Sequence, residues 1–273
     1  MKYFCFTFMI IFCWKAKAQP NCNAYLYQGD TLKYEACRVA EKRAGHYQFS
    51  RAYQEFLDEA LAIDSTFAYA YKVKSTAYLK SGDFVTWKKL IDKAVEHDPE
   101  GELFYRGWCR YQFFRDYEGA IADIELLDSL VDYDIGFGQN GDYHLEITRA
   151  LCYKAIGQPE KAIAIIEKKL SDPSYFASPY DYLHLGVLYL EMGQIDKAIE
   201  AFKVQEIEND LAENRYYIAI AYREMNQPEQ CIRNLELAKE LYLAGSKMFD
   251  PYTQHMDKVY FKEIEQAIRN SIH

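Results

Sequence analysis

The sequence predicts an all-α protein: an α-solenoid of antiparallel helix pairs, in five to six units, with a C-terminal capping helix. Three observations predict it. First, residues 179–210 contain two amphipathic helices joined at Gly193-Gln194. Leu185, Gly186 and Tyr189 form one stripe, and Ala198 and Phe202 form another, at helical spacing. Gly186 and Ala198 are small where the helices meet, while Tyr189 and Phe202 fill the remaining space. Second, the pattern recurs. Thirty-three residues on stand Ile218, Ala219, Tyr222, Asn226, Cys231, Leu235 and Ala238; thirty-six back stand Ala150, Tyr153, Gly157, Ala162 and Ile166. Ser75, Tyr78, Gly82, Trp87, Ile91 and Ala94 keep the same order, and 106–127 fits with one extra residue near Phe113-Phe114. Third, Gly157-Gln158-Pro159-Glu160 and Asn226-Gln227-Pro228-Glu229 are matching turns, each with proline at the first position of a helix. No single pair can bury its stripe alone, so such units stack.

This register resembles the tetratricopeptide repeat, whose period is about 34 residues. The resemblance covers 68–243 clearly. It implies a right-handed solenoid whose first helices line a concave surface that holds proteins or peptides. It does not imply any one partner.

In chain order, residues 1–18 are expected to be a signal peptide. Lys2 precedes an apolar run from Tyr3 to Trp14, and Ala16-Lys17-Ala18 offers a small-x-small cleavage site. An uncleaved anchor, or lipidation at Cys13 or Cys22, is the alternative. Membrane association is expected only through that signal or a lipid. Residues 19–30 form a lead with little pattern. Residues 31–66 are a degenerate first repeat, with Thr31 as the expected cap of its first helix. The array follows over 67–245. Its period slips at 131–142, a loop rich in Gly, Asn and Asp, whose Asp142 is expected to cap the next helix. Residues 246–273 are expected to be the capping helix, with Met256, Val259, Tyr260, Ile264 and Ile268 at helical spacing.

Composition narrows the function. The formal charge of −9, more negative still without the three lysines of the first 18 residues, argues against nucleic acid. Cys22 and Cys37, 15 residues apart, could pair in an exported protein and close a loop worth roughly 3 kcal/mol, or remain thiols. Cys109, Cys152 and Cys231 fall on helix-contact positions and act as small core residues. No CxxC, HExxH, GxSxG or phosphate-binding glycine loop is present, and the six histidines are scattered. Asp132, Asp134 and Asp142 lack the spacing of an EF-hand. No enzyme activity, cofactor or metal is therefore expected.

What remains is the surface that the resemblance implies. Its candidate partner-binding residues are Tyr69, Lys72, Phe104, Tyr105, Trp108, Tyr111, Tyr180, His184, Tyr217 and Arg223, with Thr76, Ile147 and Tyr216 beside them. Aromatics of this kind give large contact area at low entropic cost. Thr76 stands where a carboxylate clamp would need Asn, so a chaperone-tail clamp is not supported. The chain reads as an exported bacterial scaffold, periplasmic or on the cell surface, that binds a protein or peptide in an aromatic concave groove. A glycan-binding surface module, or a self-assembling structural protein, is the alternative.

Overall fold

The computed structural model describes residues 21–272, so the signal-peptide segment 1–18 lies outside them. The described residues form fourteen α-helices and no strand beyond an isolated Phe137–His144 bridge. They divide into two compact units, one ending at His97 and one beginning at Asp98.

The first unit holds two helix pairs and a short leader. The lead segment is not patternless: α1 (Cys22–Tyr27) forms there and is tied to α2 (Thr31–Glu41) by the Cys22–Cys37 disulfide, with Cα atoms 5.6 Å apart. Asp30, not Thr31, caps α2, its Oδ1 accepting from Lys33 N at 2.9 Å. Helix α3 (Arg51–Ile63) pairs with α2, and α4 (Ala68–Ser81) pairs with α5 (Phe84–His97). Cys37, Ala40, Leu57, Ala60 and Ala70 are sealed from solvent. Trp87, which departs from the small residue of other repeats, is accommodated at 4% exposure beside Ile91 and Ala94.

The second unit holds four pairs: α6 (Pro99–Cys109) with α7 (Tyr117–Leu130), α8 (Leu145–Ala155) with α9 (Pro159–Leu170), α10 (Asp181–Glu191) with α11 (Ile195–Glu208), and α12 (Ala212–Glu224) with α13 (Pro228–Ala244). The extra residue near Phe113-Phe114 has a visible destination. Residues Arg110–Phe114 continue α6 as a π-helical turn, which absorbs one residue without ending the helix. Arg115 then takes φ +55°, the left-handed position filled by Gly157, Gly193 and Asn226 at the matching turns of later pairs. Arg106 and Arg110 converge on the buried Asp123 of α7, at 2.6 and 2.9 Å, and lock this first pair together.

The expected 246–273 helix is only half helical. Helix α14 is confined to Phe261–Ile272 and packs on α13. Residues 246–260 have no regular structure, because Pro251 interrupts the chain and Asp257 stands at φ +61°. The apolar spacing of Met256, Val259 and Tyr260 therefore carries no helix.

Close packing within a pair is set by the small positions. Ala120, Ala162, Ala198 and Ala219 are all fully buried. A Cβ on Gly186 would sit 2.3 Å from the Phe202 ring, well inside contact distance. Gly186→Ala should therefore cost about 1–3 kcal/mol of stability in chemical denaturation, as overpacking does. Adding Phe202→Leu should return part of that loss; an unchanged or further reduced midpoint would mean the contact is not limiting.

Candidate functional site

The candidate surface of the second unit is the row of first helices, α6, α8, α10 and α12. The segment 246–260 lies across all four. The Ser246 carbonyl accepts from Ala212 N at 2.9 Å, and Met248 N donates to Glu213 Oε2 at 3.1 Å, both at the start of α12. Met248 is fully buried. At the π-turn, Gln112 Nε2 donates to Thr253 Oγ1 at 2.6 Å and to Asp250 Oδ2 at 3.2 Å. Arg115 Nη2 donates to the Gln254 carbonyl at 2.7 Å. This segment is a strap, held partly by its backbone and partly by its side chains.

Its strongest anchor is Asp257. One carboxylate oxygen accepts from Lys154 Nζ of α8 at 2.6 Å, and the other faces His184 Nδ1 of α10 at 2.7 Å. Burial alone would raise the Asp257 pKa, but the His184 hydrogen bond and the Lys154 charge outweigh it and hold the carboxyl below its ordinary value. From His184 the contacts continue inward. Its Nε2 lies 3.0 Å from the Tyr143 hydroxyl, which lies 2.9 Å from His255 Nδ1. Tyr143 sits just ahead of α8, at 3% exposure. Burial raises the Tyr143 pKa well above that of a free phenol and lowers that of His255. A carboxylate, an imidazole and a phenol in line could suggest a proton relay to a substrate. Here every member is sealed by its neighbours, and the arrangement holds the strap.

The ten candidate residues are placed as follows. In the first unit, Tyr69 is half-buried, its hydroxyl accepting from Arg43 Nη2 at 2.6 Å, and the Lys72 ammonium lies 5.6 Å from its ring centroid. In the second unit, Phe104, Tyr180 and Tyr217 are half-buried and Arg223 is exposed. Four expected to be exposed are not. His184 is 0% exposed because the strap covers it, and Tyr111 is 3% exposed against Tyr143. Trp108 is buried by the inserted loop: a Cβ on Gly138 would meet its indole at 2.4 Å, so only glycine permits that approach. Tyr105 is buried beside Trp108, with ring centroids 6.0 Å apart.

Sequence reasoning did not find the strap, Tyr143, His255 or Asp257. The available signal was the Asp250-Pro251 break, which disqualifies a helix over 246–260. Asp142 does not cap α8. That role falls to His144, whose Nδ1 accepts from Glu146 N at 3.1 Å while its Nε2 faces Asp134 at 2.8 Å. Cys109, Cys152 and Cys231 are free thiols in the core.

The family model described as tetratricopeptide repeat matches residues 182–203, which lie within the α10–α11 pair. A TPR repeat-containing protein of Methanocaldococcus jannaschii is 23% identical over 154 residues, 54% of this chain. The matched region spans only a quarter (25%) of that relative. Among solved structures, PilW, a widely conserved type IV pilus biogenesis factor, aligns with TM-score 0.55 at 14% identity. That alignment covers 81% of this chain and 90% of PilW. The pilF protein of Pseudomonas aeruginosa aligns with TM-score 0.55 at 15% identity, over 90% of this chain and 93% of its own. These likenesses concern the fold. No helix among the described residues is long and apolar enough to cross a membrane.

One buried acid on this face gives a pH test. Asp181, at the start of α10, has its pKa raised to about 6 by burial, although Tyr175 and Ser178 donate to it. A raised folded-state pKa stabilises the fold below the unfolded value and loses that contribution as pH rises through 6. His144 and His255, with lowered pKa values, act in the opposite sense, so the readout is a difference. The stability of wild type relative to Asp181→Asn should fall by about 2 kcal/mol between pH 4 and pH 6 in urea titrations. A constant difference across that range would show that Asp181 ionises normally.

Proposed function

Since the chain is a tetratricopeptide-repeat protein in motif and fold, we propose that it is a non-enzymatic scaffold holding a protein or peptide against its first helices. The observation that carries this reading is the strap. A stretch of irregular backbone already lies on that face, and its carbonyls and amides are met by Ala212, Arg115 and Glu213. Its side chains Thr253, His255 and Asp257 are met by Gln112, Tyr143, His184 and Lys154. Backbone contacts that accept any sequence, plus a few side-chain contacts that select one, are what peptide recognition requires. A partner segment of similar make-up, with an acid to answer Lys154 and His184, fits the same face. The half-buried Phe104, Tyr180 and Tyr217, with the exposed Arg223, would add contact area beside it. An exported location is part of the same proposal. It is supported by the basic-then-apolar first 18 residues and by the Cys22–Cys37 disulfide, a bond that persists in oxidising compartments.

The test is site-specific photo-crosslinking in envelope extract, with the crosslinker at Phe104 or Tyr217 on first helices, or at Ile207 on α11. Capture of the same partner at both first-helix positions is expected. Several-fold more of it should be recovered with Asp257→Asn, which weakens the strap. Capture at Ile207 alone, or none at all, would overturn the proposal.

A further inference from the structure

Where the strap crosses the inserted loop, three metal-ligating side chains meet. One nitrogen of His255 and one carboxylate oxygen each of Asp142 and Asp250 lie no more than 4.8 Å apart. Two like charges brought together in a half-buried position repel, and either a proton or a bound cation relieves them. A pair of acids alone would carry nothing, since acids cluster on many surfaces. The second observation is His255 itself. The residue is 7% exposed, and its Nε2 is buried with no hydrogen-bond partner.

The hydrogen-bond chain behind it occupies the other ring nitrogen, Nδ1. Asp257 faces His184 Nδ1, so that nitrogen carries a proton. In the tautomer that suits a ligand, His184 Nε2 accepts from the Tyr143 hydroxyl, 3.0 Å away, and the Tyr143 oxygen accepts from His255 Nδ1–H at 2.9 Å. The His255 proton is then on Nδ1, and Nε2 offers a lone pair. A hydrogen bond at the far nitrogen, fixing tautomer and ring orientation, is the support that ligating histidines generally have. The carboxylates keep lone pairs as well. Asp142 Oδ2 accepts from Asn140, and Asp250 Oδ2 has a single long contact, 3.2 Å from Gln112.

We propose that Asp142, Asp250 and His255 form a divalent-metal site for zinc or a similar borderline cation, which clasps the strap to the inserted loop. One imidazole and two carboxylates suit such a cation better than calcium or magnesium, which favour all-oxygen shells. Tetrahedral ligands about 2.1 Å from zinc stand about 3.4 Å from one another. The three donors must therefore draw in by roughly an ångström, and Asp142 and Asp250 sit on irregular segments whose side chains can do so. Three protein ligands leave a fourth position for water. The free cysteines among the described residues do not compete, because all three are buried in the core. The site does not depend on the partner proposed above, because all of its ligands belong to this chain.

The experiment is calorimetric titration of the chelator-treated chain with zinc, repeated with calcium, and with Co²⁺ as a visible-light probe. The expected result is one zinc per chain, a Co²⁺ spectrum of low coordination number, and calcium binding at least 100-fold weaker. Asp142→Asn and His255→Gln should each lower zinc affinity at least 100-fold. Tyr143→Phe should lower it about 10–100-fold through the lost support at Nδ1. Asp142 is half-buried and caps no helix, so its variant should keep the wild-type circular dichroism, which separates ligand loss from misfolding. No zinc uptake, uptake undiminished in the folded Asp142→Asn variant, or calcium bound as tightly as zinc would each overturn the site.

Discussion

The second unit depends on one buried charge. Asp257 lies deep between α8 and α10, in a backbone conformation that few residues other than glycine adopt. An isolated carboxylate there would cost far more than a folded protein has to spare. It is tolerable because Lys154 and His184 approach its two oxygens from two different helices. The dependence is mutual: without Asp257, the buried ends of Lys154 and His184 lose their acid, a loss of the kind that costs about 3–5 kcal/mol. The strap is tied to α8 and α10 through that arrangement, and the contacts from His184 to Tyr143 and His255 continue from it.

Beneath it lies the simpler rule that builds the pairs. A residue without bulk on the first helix meets an aromatic or aliphatic knob on the second, as Gly186 meets Phe202. In five of the six pairs the turn between them has one residue at positive φ, supplied by Gly82, Arg115, Gly157, Gly193 or Asn226. Arg115 fills that place despite its side chain, directly after the π-turn that takes up the extra residue of its repeat. One pair is thus longer in sequence while its register of packing is kept.

This division decides what the sequence discloses. Helix pairs are local: a stripe, a turn and a second stripe fall within 34 residues, and their repetition multiplies the signal. The small positions Ala150, Gly186, Ala219, Ala162, Ala198 and Cys231 were legible for that reason, and all lie at the contacts where the register puts them. The candidate surface was legible only as a row of positions. Its exposure was not, because the covering groups come from far along the chain or from outside the repeat. His184 and Asp257 are 73 residues apart, and Tyr143 and His255 are 112 apart. Trp108 is covered by Gly138, in a loop that no repeat template includes. Non-periodic contacts between such distant segments leave no trace in hydrophobic spacing. The loss of helix at Pro251 was the one local sign that 246–260 has another task.

The strap also has a thermodynamic consequence. It is joined to the unit it covers, so it meets any competitor as an intramolecular ligand, at an effective concentration on the order of millimolar. A free segment seeking the same face would bind only the fraction of molecules whose strap has lifted, and its apparent affinity would be lowered by that fraction. Weak chance encounters are filtered out, while a ligand that is itself tethered or multivalent is much less penalised. The chain carries its own threshold for occupancy, and the strength of the strap's anchors sets how high that threshold stands.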